Sequence, residues 1–339
     1  MHELKRSKKR RHIKYGAIPS RVKLNRSKKF IKNTNSIKHE EFKAPSDFSL
    51  LNNTEEVLMY FEKAKKALQN NVPVFFDISD IENIGPETLI CLCALVNDKQ
   101  YTSGTALKGN SPLNTSLKQM FIDAGFYNFV ISKSSQRKYS KDEHGEIIHR
   151  VTREKVEAEL VGGICKSAIW YTFDTGKVEN LSIFPILIEC MANTRNHASG
   201  GVVHEVYNWW LLAYKEPITK ISKFCILDLG VGIFSSLEKK FTDNTMPSRV
   251  KRYFVPNNNA DTLKRIFKGE KRTRTQKPER GLGLNRIYSL VLEDTNIKNF
   301  TMLSNDVIAI IRDKNSTVVK LSRSFPGTLY YWELIPNNV

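Results

Sequence analysis

The chain has 339 residues, enough for two domains of ordinary size, and its 40% hydrophobic and 10% aromatic content is typical of a globular rather than a disordered protein. No apolar run approaches the roughly 20 residues that span a bilayer, and the basic N-terminus lacks the apolar segment of a signal peptide. We therefore expect a soluble, cytoplasmic protein with no membrane partner.

The positive charge is concentrated at the N-terminus. The net charge is +18, and residues 1–43 hold 15 of the 53 Lys and Arg but only 3 of the 35 Asp and Glu, which gives this segment +12 and leaves +6 for the remainder. We interpret 1–43 as a basic tail. It either neutralises nucleic-acid phosphates by counterion release, stays a solvated arm, or orders against a partner or its own domain.

Residues 44–130 alternate helix and strand signals, and we expect Thr54 to be the N-cap of the first helix. The predicted elements in chain order are a helix over 54–68, a strand over 74–78, a helix over 88–96, a strand end at 107–109 and a helix over 116–124. The polar stretch 131–158 then reads as a linker or exposed loop.

The five cysteines lie in apolar stretches without a C-x-x-C pair or partnering histidines, which predicts free buried thiols rather than a metal site. They are Cys91, Cys93, Cys165, Cys190 and Cys225.

An α/β pattern resumes at about residue 159, and the first of its segments with chemically informative residues is a predicted helix over roughly 182–198. Glu189 and Asn193 are four residues apart on one face of this helix, and Asn196 lies about one turn further on. A carboxylate can orient or deprotonate a nucleophile, and a neutral amide oxygen is a hard ligand that suits Mg²⁺.

A buried strand over 224–228 delivers Asp228 at its carboxyl end. Gly230 and Gly232 follow it and let the backbone come close to a ligand, before Ile233. An acceptor at the end of this strand suits the exocyclic amine of adenine.

Glycines recur at the start of a later helix, in the run Arg280, Gly281, Leu282, Gly283 and Leu284. Such a helix start leaves N–H groups free for phosphate oxygens, assisted by the positive end of the helix dipole.

The C-terminal half of the chain has two further features that suit a nucleotide. The basic stretch 268–280 suits a mobile lid whose Lys and Arg fold over a polyphosphate. Thr328, after Gly327, leads into a strand over 329–334 and could supply a hydroxyl to a base or to a bridging water.

The ordered set E-x3-N, D-x-G-x-G, G-L-G-L and G-T resembles the GHKL superfamily of gyrase, heat-shock chaperones, histidine kinases and mismatch-repair proteins. The resemblance implies a Bergerat-type ATP-binding domain over 159–339, with helices on one face of a mixed sheet. It implies Glu189 as general base, Asn193 as Mg²⁺ ligand and Asp228 as the adenine-reading carboxylate. Further nucleotide contacts would come from Asn196, Gly230, Gly232, Ile233, Arg280, Gly281, Leu282, Gly283, Leu284 and Thr328. The chain departs from the family at Glu279, where a glycine is usual.

The segment VPVFFDISDIENIGPETL at 72–89 resembles the core of STAS domains, and LKGNSPLNTSLKQMFIDAGF resembles their last strand and helix. This resemblance implies a STAS-like domain over 44–130. Pro86 and Glu87 stand at the two serine positions of the regulatory turn, so we expect an interaction module that no longer switches by phosphorylation.

The expected fold is thus α/β (α+β), a STAS-like domain followed by a GHKL domain. Three functions remain open: a Mg²⁺-dependent ATPase switch acting on a protein partner or a second copy, a serine/threonine kinase similar to anti-sigma factors, and a non-enzymatic scaffold that binds nucleotide for structure and nucleic acid through its tail. The architecture would suit a bacterial stress or defence system.

Overall fold

The computed structural model describes residues 38–97, 107–130, 147–152, 157–175, 181–197, 207–269, 283–312 and 315–336. The chain from His39 onward belongs to one compact unit of mixed α and β structure. Within the described residues, no helix combines the length and apolar character that crossing a bilayer requires.

The N-terminal layer is built from short strands and helices. Its elements are β1 (Glu40–Lys43), β2 (Asp47–Phe48), α1 (Thr54–Gln69), β3 (Val74–Asp77), β4 (Asn83–Ile84), α2 (Pro86–Asn97), β5 (Leu107–Gly109), α3 (Thr115–Asp123) and α4 (Tyr127–Val130). Strands β1, β3 and β5 form a parallel sheet in that order, and β2 pairs with β4 in parallel.

The C-terminal part is a five-stranded sheet with helices. Its elements are β6 (Ile147–Thr152), α5 (Ala158–Phe173), α6 (Ile183–His197), β7 (Tyr207–Lys215), β8 (Ser222–Asp228), α7 (Ile233–Thr242), α8 (Ser248–Lys251), α9 (Asn259–Lys268), α10 (Gly283–Glu293), β9 (Ile297–Arg312) and β10 (Asn315–Leu334). The strand order is β6-β7-β8-β10-β9.

This sheet is the middle layer of the compact unit, because its strands alternate between two apolar clusters. On β10, Tyr330 and Trp332 belong to the cluster formed with the helices α5, α6, α7, α9 and α10, whereas Leu329 and Tyr331 belong to the cluster formed with the N-terminal layer. The period of two along a strand places successive side chains on opposite faces. The helices therefore cover one face, and α1, α2 and their strands cover the other.

The structure corrects several sequence-based expectations about boundaries. The tail predicted over 1–43 is too long, because 40–43 form β1, whose Phe42 is buried and whose backbone pairs with β3. Residues 1–37 of that tail lie outside the described residues. The linker predicted over 131–158 contains β6, which pairs with β7 as a strand of the five-stranded sheet.

Other expectations change in detail. The strands of the five-stranded sheet pair antiparallel at every described register, so the sheet is not mixed. Thr54 is the first residue of α1 and not its N-cap, because its hydroxyl donates to the carbonyl of Leu50 while Asn53 precedes the helix. The two predicted domains share a core, since one apolar cluster joins the N-terminal layer to the five-stranded sheet. All five cysteines are free and buried, as predicted.

Candidate functional site

Glu189 and Asn193 lie on α6, a helix whose apolar side chains Leu187 and Cys190 are buried against the sheet. Glu189 keeps 18% of its side chain exposed, whereas Asn193 is 7% exposed. The Asn193 amide donates to the hydroxyl of Tyr330 on β10 at 3.1 Å. This bond fixes the amide, so its oxygen is oriented by the sheet beneath the helix.

Asp228 ends β8 on the helix-covered face of the sheet and is only 2% exposed. Burial raises the pKa of this carboxyl to about 7, although hydrogen bonds from the Gly230 N–H, at 3.1 Å, and from Thr194 oppose the shift. Thr328 is the partner of Asp228 in the β8–β10 ladder and is equally buried. A desolvated acceptor and a hydroxyl donor therefore stand side by side.

Gly327 allows β10 to pass close to β8 at this point. Its φ is +98°, and a Cβ there would fall 1.9 Å from the carbonyl oxygen of Asp228. No other residue type combines this left-handed conformation with so close an approach. The glycine therefore determines where Thr328 sits next to Asp228.

The turn after Asp228 is fixed by two polar side chains of β9. The Ser304 hydroxyl accepts from the Ile233 N–H at 3.0 Å, and the Asn305 amide oxygen accepts from the Phe234 N–H at 3.0 Å. Gly232, with φ +81°, packs directly against the Asn305 amide. Because these bonds occupy the first N–H groups of α7, the start of that helix is satisfied within the protein.

The start of α10 meets α6. A Cβ built on Gly283 would lie 2.9 Å from the Asn193 amide oxygen and 3.1 Å from a carboxylate oxygen of Glu189. One turn later, Arg286 donates to the other Glu189 oxygen at 2.6 Å. Asn285 ties the same turn to α9 through the carbonyl of Ile266. The helix thus presents its first turn to both polar residues of α6.

The structure brings five of the predicted site residues into one region: Glu189, Asn193, Asp228, Gly283 and Thr328. A hydrogen bond from the Thr194 side chain connects α6 to Asp228. Burial is the main cause of the raised pKa of Tyr330, and the charges of Asp228 and Glu189 raise that pKa further.

The remaining predicted residues differ in what they contribute. The side chains of Ile233 and Leu284 are buried in the helix-side core, so these side chains supply packing, and the polar contact of Ile233 is its backbone N–H bond to Ser304. Gly230 lies in the turn and donates to Asp228, whereas Gly232 packs against the helix-capping Asn305. Asn196 falls on the last turn of α6, and its side chain is outside the described residues. Arg280, Gly281, Leu282 and lid residues 270–280 also lie outside them.

Sequence reasoning missed five residues that shape this region: Thr194, Arg286, Ser304, Asn305 and Tyr330. Thr194 could have been predicted from one local feature, its position next to Asn193 in the sequence. Ser304 and Asn305 had none, since their partners in the turn are about 71 residues away in sequence.

The described residues contain no group of three or more His, Cys, Asp or Glu arranged to hold a metal. Mg²⁺ commonly takes one or two protein ligands and completes its shell with water and phosphate oxygens. Asn193, one helical turn from Glu189 on α6, fits that pattern as a single protein ligand.

The turn that resembles the STAS phosphorylation site is closed to solvent. Glu87 is 1% exposed, and its carboxylate accepts from the Ser49 hydroxyl at 3.0 Å. Thr88 is fully buried, and its hydroxyl oxygen accepts from the Leu50 N–H at 2.8 Å. Burial raises the pKa of Glu87. In this conformation Thr88 cannot meet a kinase.

No family model, curated protein or solved structure matches this chain.

Proposed function

We propose that the chain binds ATP with Mg²⁺ in a GHKL-type site and hydrolyses it to switch its affinity for a protein partner. The observation that carries the proposal is the buried pair formed by Asp228, at the end of β8, and Thr328, its ladder partner on β10. Both lie on the face of the sheet that α6 covers with Glu189 and Asn193. An acceptor and a hydroxyl held out of water suit the amine and ring nitrogens of an adenine.

The proposed roles follow from position. Asp228 and Thr328 read the base, directly or through a water. Asn193 is a ligand for Mg²⁺, which would neutralise the charge of the phosphates. Gly283 lets the first turn of α10 approach closely, and N–H groups at a helix start suit anions. Glu189 orients and deprotonates the attacking water.

The Arg286–Glu189 pair gives the proposed cycle a resting state. While the guanidinium occupies one oxygen of the carboxylate, that oxygen is not free to accept a proton from water. Arg286 is half exposed and lies on the first turn of α10, so an anion at that helix start would compete with Glu189 for it. Nucleotide binding would in this way release the general base.

The same contact favours a second candidate, a protein that binds nucleotide without turning it over. If Arg286 stays on Glu189 in the nucleotide complex, the base is never released. The chain would then be a nucleotide-bound scaffold.

The test is calorimetric titration with MgATP together with phosphate release, for the wild type and for Asp228→Asn. We expect binding and turnover in the wild type and at least about a hundredfold loss of affinity in the variant, because the acceptor for the base amine becomes an amide that also presents a donor. Asp294→Asn is the matched control, since Asp294 is also a buried carboxylate but accepts from Ser182 and Asn296, away from the site.

The outcomes separate the candidates. Binding without phosphate release assigns the scaffold, and transfer of labelled phosphate to an added protein assigns a kinase. A wild type that binds no adenine nucleotide contradicts the proposal as a whole.

A further inference from the structure

The strand that carries Thr328 leaves its ladder just before that residue. Strand β10 pairs with β9 in register up to Lys320, and the register shifts before Phe325 and again before Thr328. Regular pairing with β8 starts only at Thr328. The described registers therefore give residues 321–324 no ladder partner, and their backbone groups need other partners.

Helix α1 of the N-terminal layer bonds one of these backbone groups, the Ser322 N–H, and two side chains of the same segment. Glu55 accepts two hydrogen bonds from Ser322, one from its N–H at 2.8 Å and one from its hydroxyl at 2.6 Å. Two turns along the same helix, Glu62 accepts from the Arg323 guanidinium at 2.5 Å. The bonds from Ser322 lower the pKa of Glu55. We call these four residues the α1 clamp.

A cavity of about 540 Å³ lies beside the clamp. It is lined by Phe61 and Leu95 on the side of the N-terminal layer and by Gly230 and Val231 of the turn that follows Asp228. Arg323 is also part of its wall. The clamp thus joins the two layers next to a space into which the turn and the irregular part of β10 have room to move.

We propose that the α1 clamp positions Thr328, so that the N-terminal layer controls how tightly the C-terminal site holds an adenine base. The inference rests on the proposed ATP site. Glu55 and Glu62 are positioning residues in it, because their described hydrogen bonds go to Ser322 and Arg323 and they act through the strand that leads to Thr328. A partner protein that displaced α1 would loosen the base end of the site without touching it.

The first test compares Glu55→Ala with Glu56→Ala. Both residues stand in the first turn of α1 and complement its dipole equally, but within the described part of the chain Glu56 accepts from Asn53 of its own helix start and not from β10. We expect Glu55→Ala to raise the dissociation constant for MgATP about three- to fivefold, because solvent-exposed charge-assisted hydrogen bonds contribute no more than about 1 kcal/mol, and Glu56→Ala to leave it unchanged. Both variants should remain folded at the assay temperature, which their thermal unfolding midpoints check.

Hydrogen exchange adds a readout that does not depend on nucleotide. In Glu55→Ala the amides of residues 322–328 should exchange faster than in Glu56→Ala. Faster exchange with unchanged affinity, or unchanged exchange, overturns the positioning role while leaving the ATP site in place. A wild type that does not bind MgATP instead contradicts the proposed function.

A charge reversal tests the contact between Arg323 and Glu62. Arg323→Glu should weaken MgATP binding, and Glu62→Arg in the same chain should restore it, because the pair is re-formed with opposite polarity. If the double variant binds no better than Arg323→Glu alone, Glu62 has no part in the clamp.

Discussion

The two ends of the proposed site differ in how completely the protein satisfies them. At the base end, Asp228 and Thr328 are each 2% exposed, and Thr194, Gly230 and Ser304 are their hydrogen-bond partners. At the phosphate end, Glu189 is 18% exposed, and its observed partner is an arginine whose side chain is half exposed. The base end is therefore formed before any ligand arrives, whereas the phosphate end is held by a contact that a ligand can break.

This difference separates recognition from turnover. Changes at the base end should alter affinity, because its geometry is set by buried hydrogen bonds that are expensive to leave unmade. Changes at the phosphate end should alter rate, since an exposed ion pair contributes little stability and is easily exchanged.

The largest effect should come from Glu189→Ala. Without a general base, turnover should fall by about a thousandfold, while the dissociation constant for MgATP stays within about threefold, because the residue makes no contact with the base end. Single-turnover phosphate release and calorimetry on the same preparation measure the two quantities. Equal loss of binding and turnover would contradict the role of Glu189 as general base and the separation of affinity from rate between the two ends of the site.

Gly283→Ala, at the phosphate end, should have the next largest effect on turnover. The added methyl would press on the Asn193 amide oxygen and the Glu189 carboxylate, so turnover should fall on the order of ten- to a hundredfold. Gly163→Ala is the matched control, because a Cβ at that helical glycine meets nothing within 4 Å, and alanine there should stabilise α5 by about 0.5–1 kcal/mol. Identical rates in the two variants would show that α10 does not approach the reacting groups.

The base end should also respond to pH. The pKa of Asp228 is about 7 in the folded chain, so adenosine, which has no phosphate to titrate, should bind about tenfold more weakly at pH 6 than at pH 8. Asp294→Asn should behave like the wild type. Affinity that is flat over this range would mean that Asp228 does not accept from the base.

The carboxyl group of Asp228 also makes the stability of the folded chain depend on pH. Its folded pKa lies above its ordinary value of 3.8, so the folded chain holds this proton more tightly, and the stability it contributes is lost as pH rises from about 4 through 7. Asp228→Asn removes that loss, so at pH 8 its free energy of unfolding should exceed that of the wild type by up to about 4 kcal/mol. Denaturant titrations at pH 5 and pH 8 measure it. A difference that does not grow with pH contradicts the burial of an ionisable carboxyl here.

Local patterns in the sequence predicted the parts of this site that depend on local structure. The periodicity around Glu189 located α6 to within a residue or two, and the apolar run before Asp228 located β8. Composition misassigned β1, because a short strand with one buried residue, Phe42, between charged neighbours has little apolar signal. The contact between Arg286 and Glu189 spans 97 residues, and no pattern on either helix predicts it.

The smallest effect tests the phosphate end alone. Arg286→Gln should free Glu189 and raise basal phosphate release about two- to fivefold, since an exposed pair of this kind contributes no more than about 1 kcal/mol. Adenosine affinity should not change, because the base end does not include Arg286. Arg252→Gln removes the same charge from an exposed arginine that stacks on Tyr253, and it controls for net charge. If phosphate release at saturating MgATP falls in Arg286→Gln, the ion pair is not a brake on the general base.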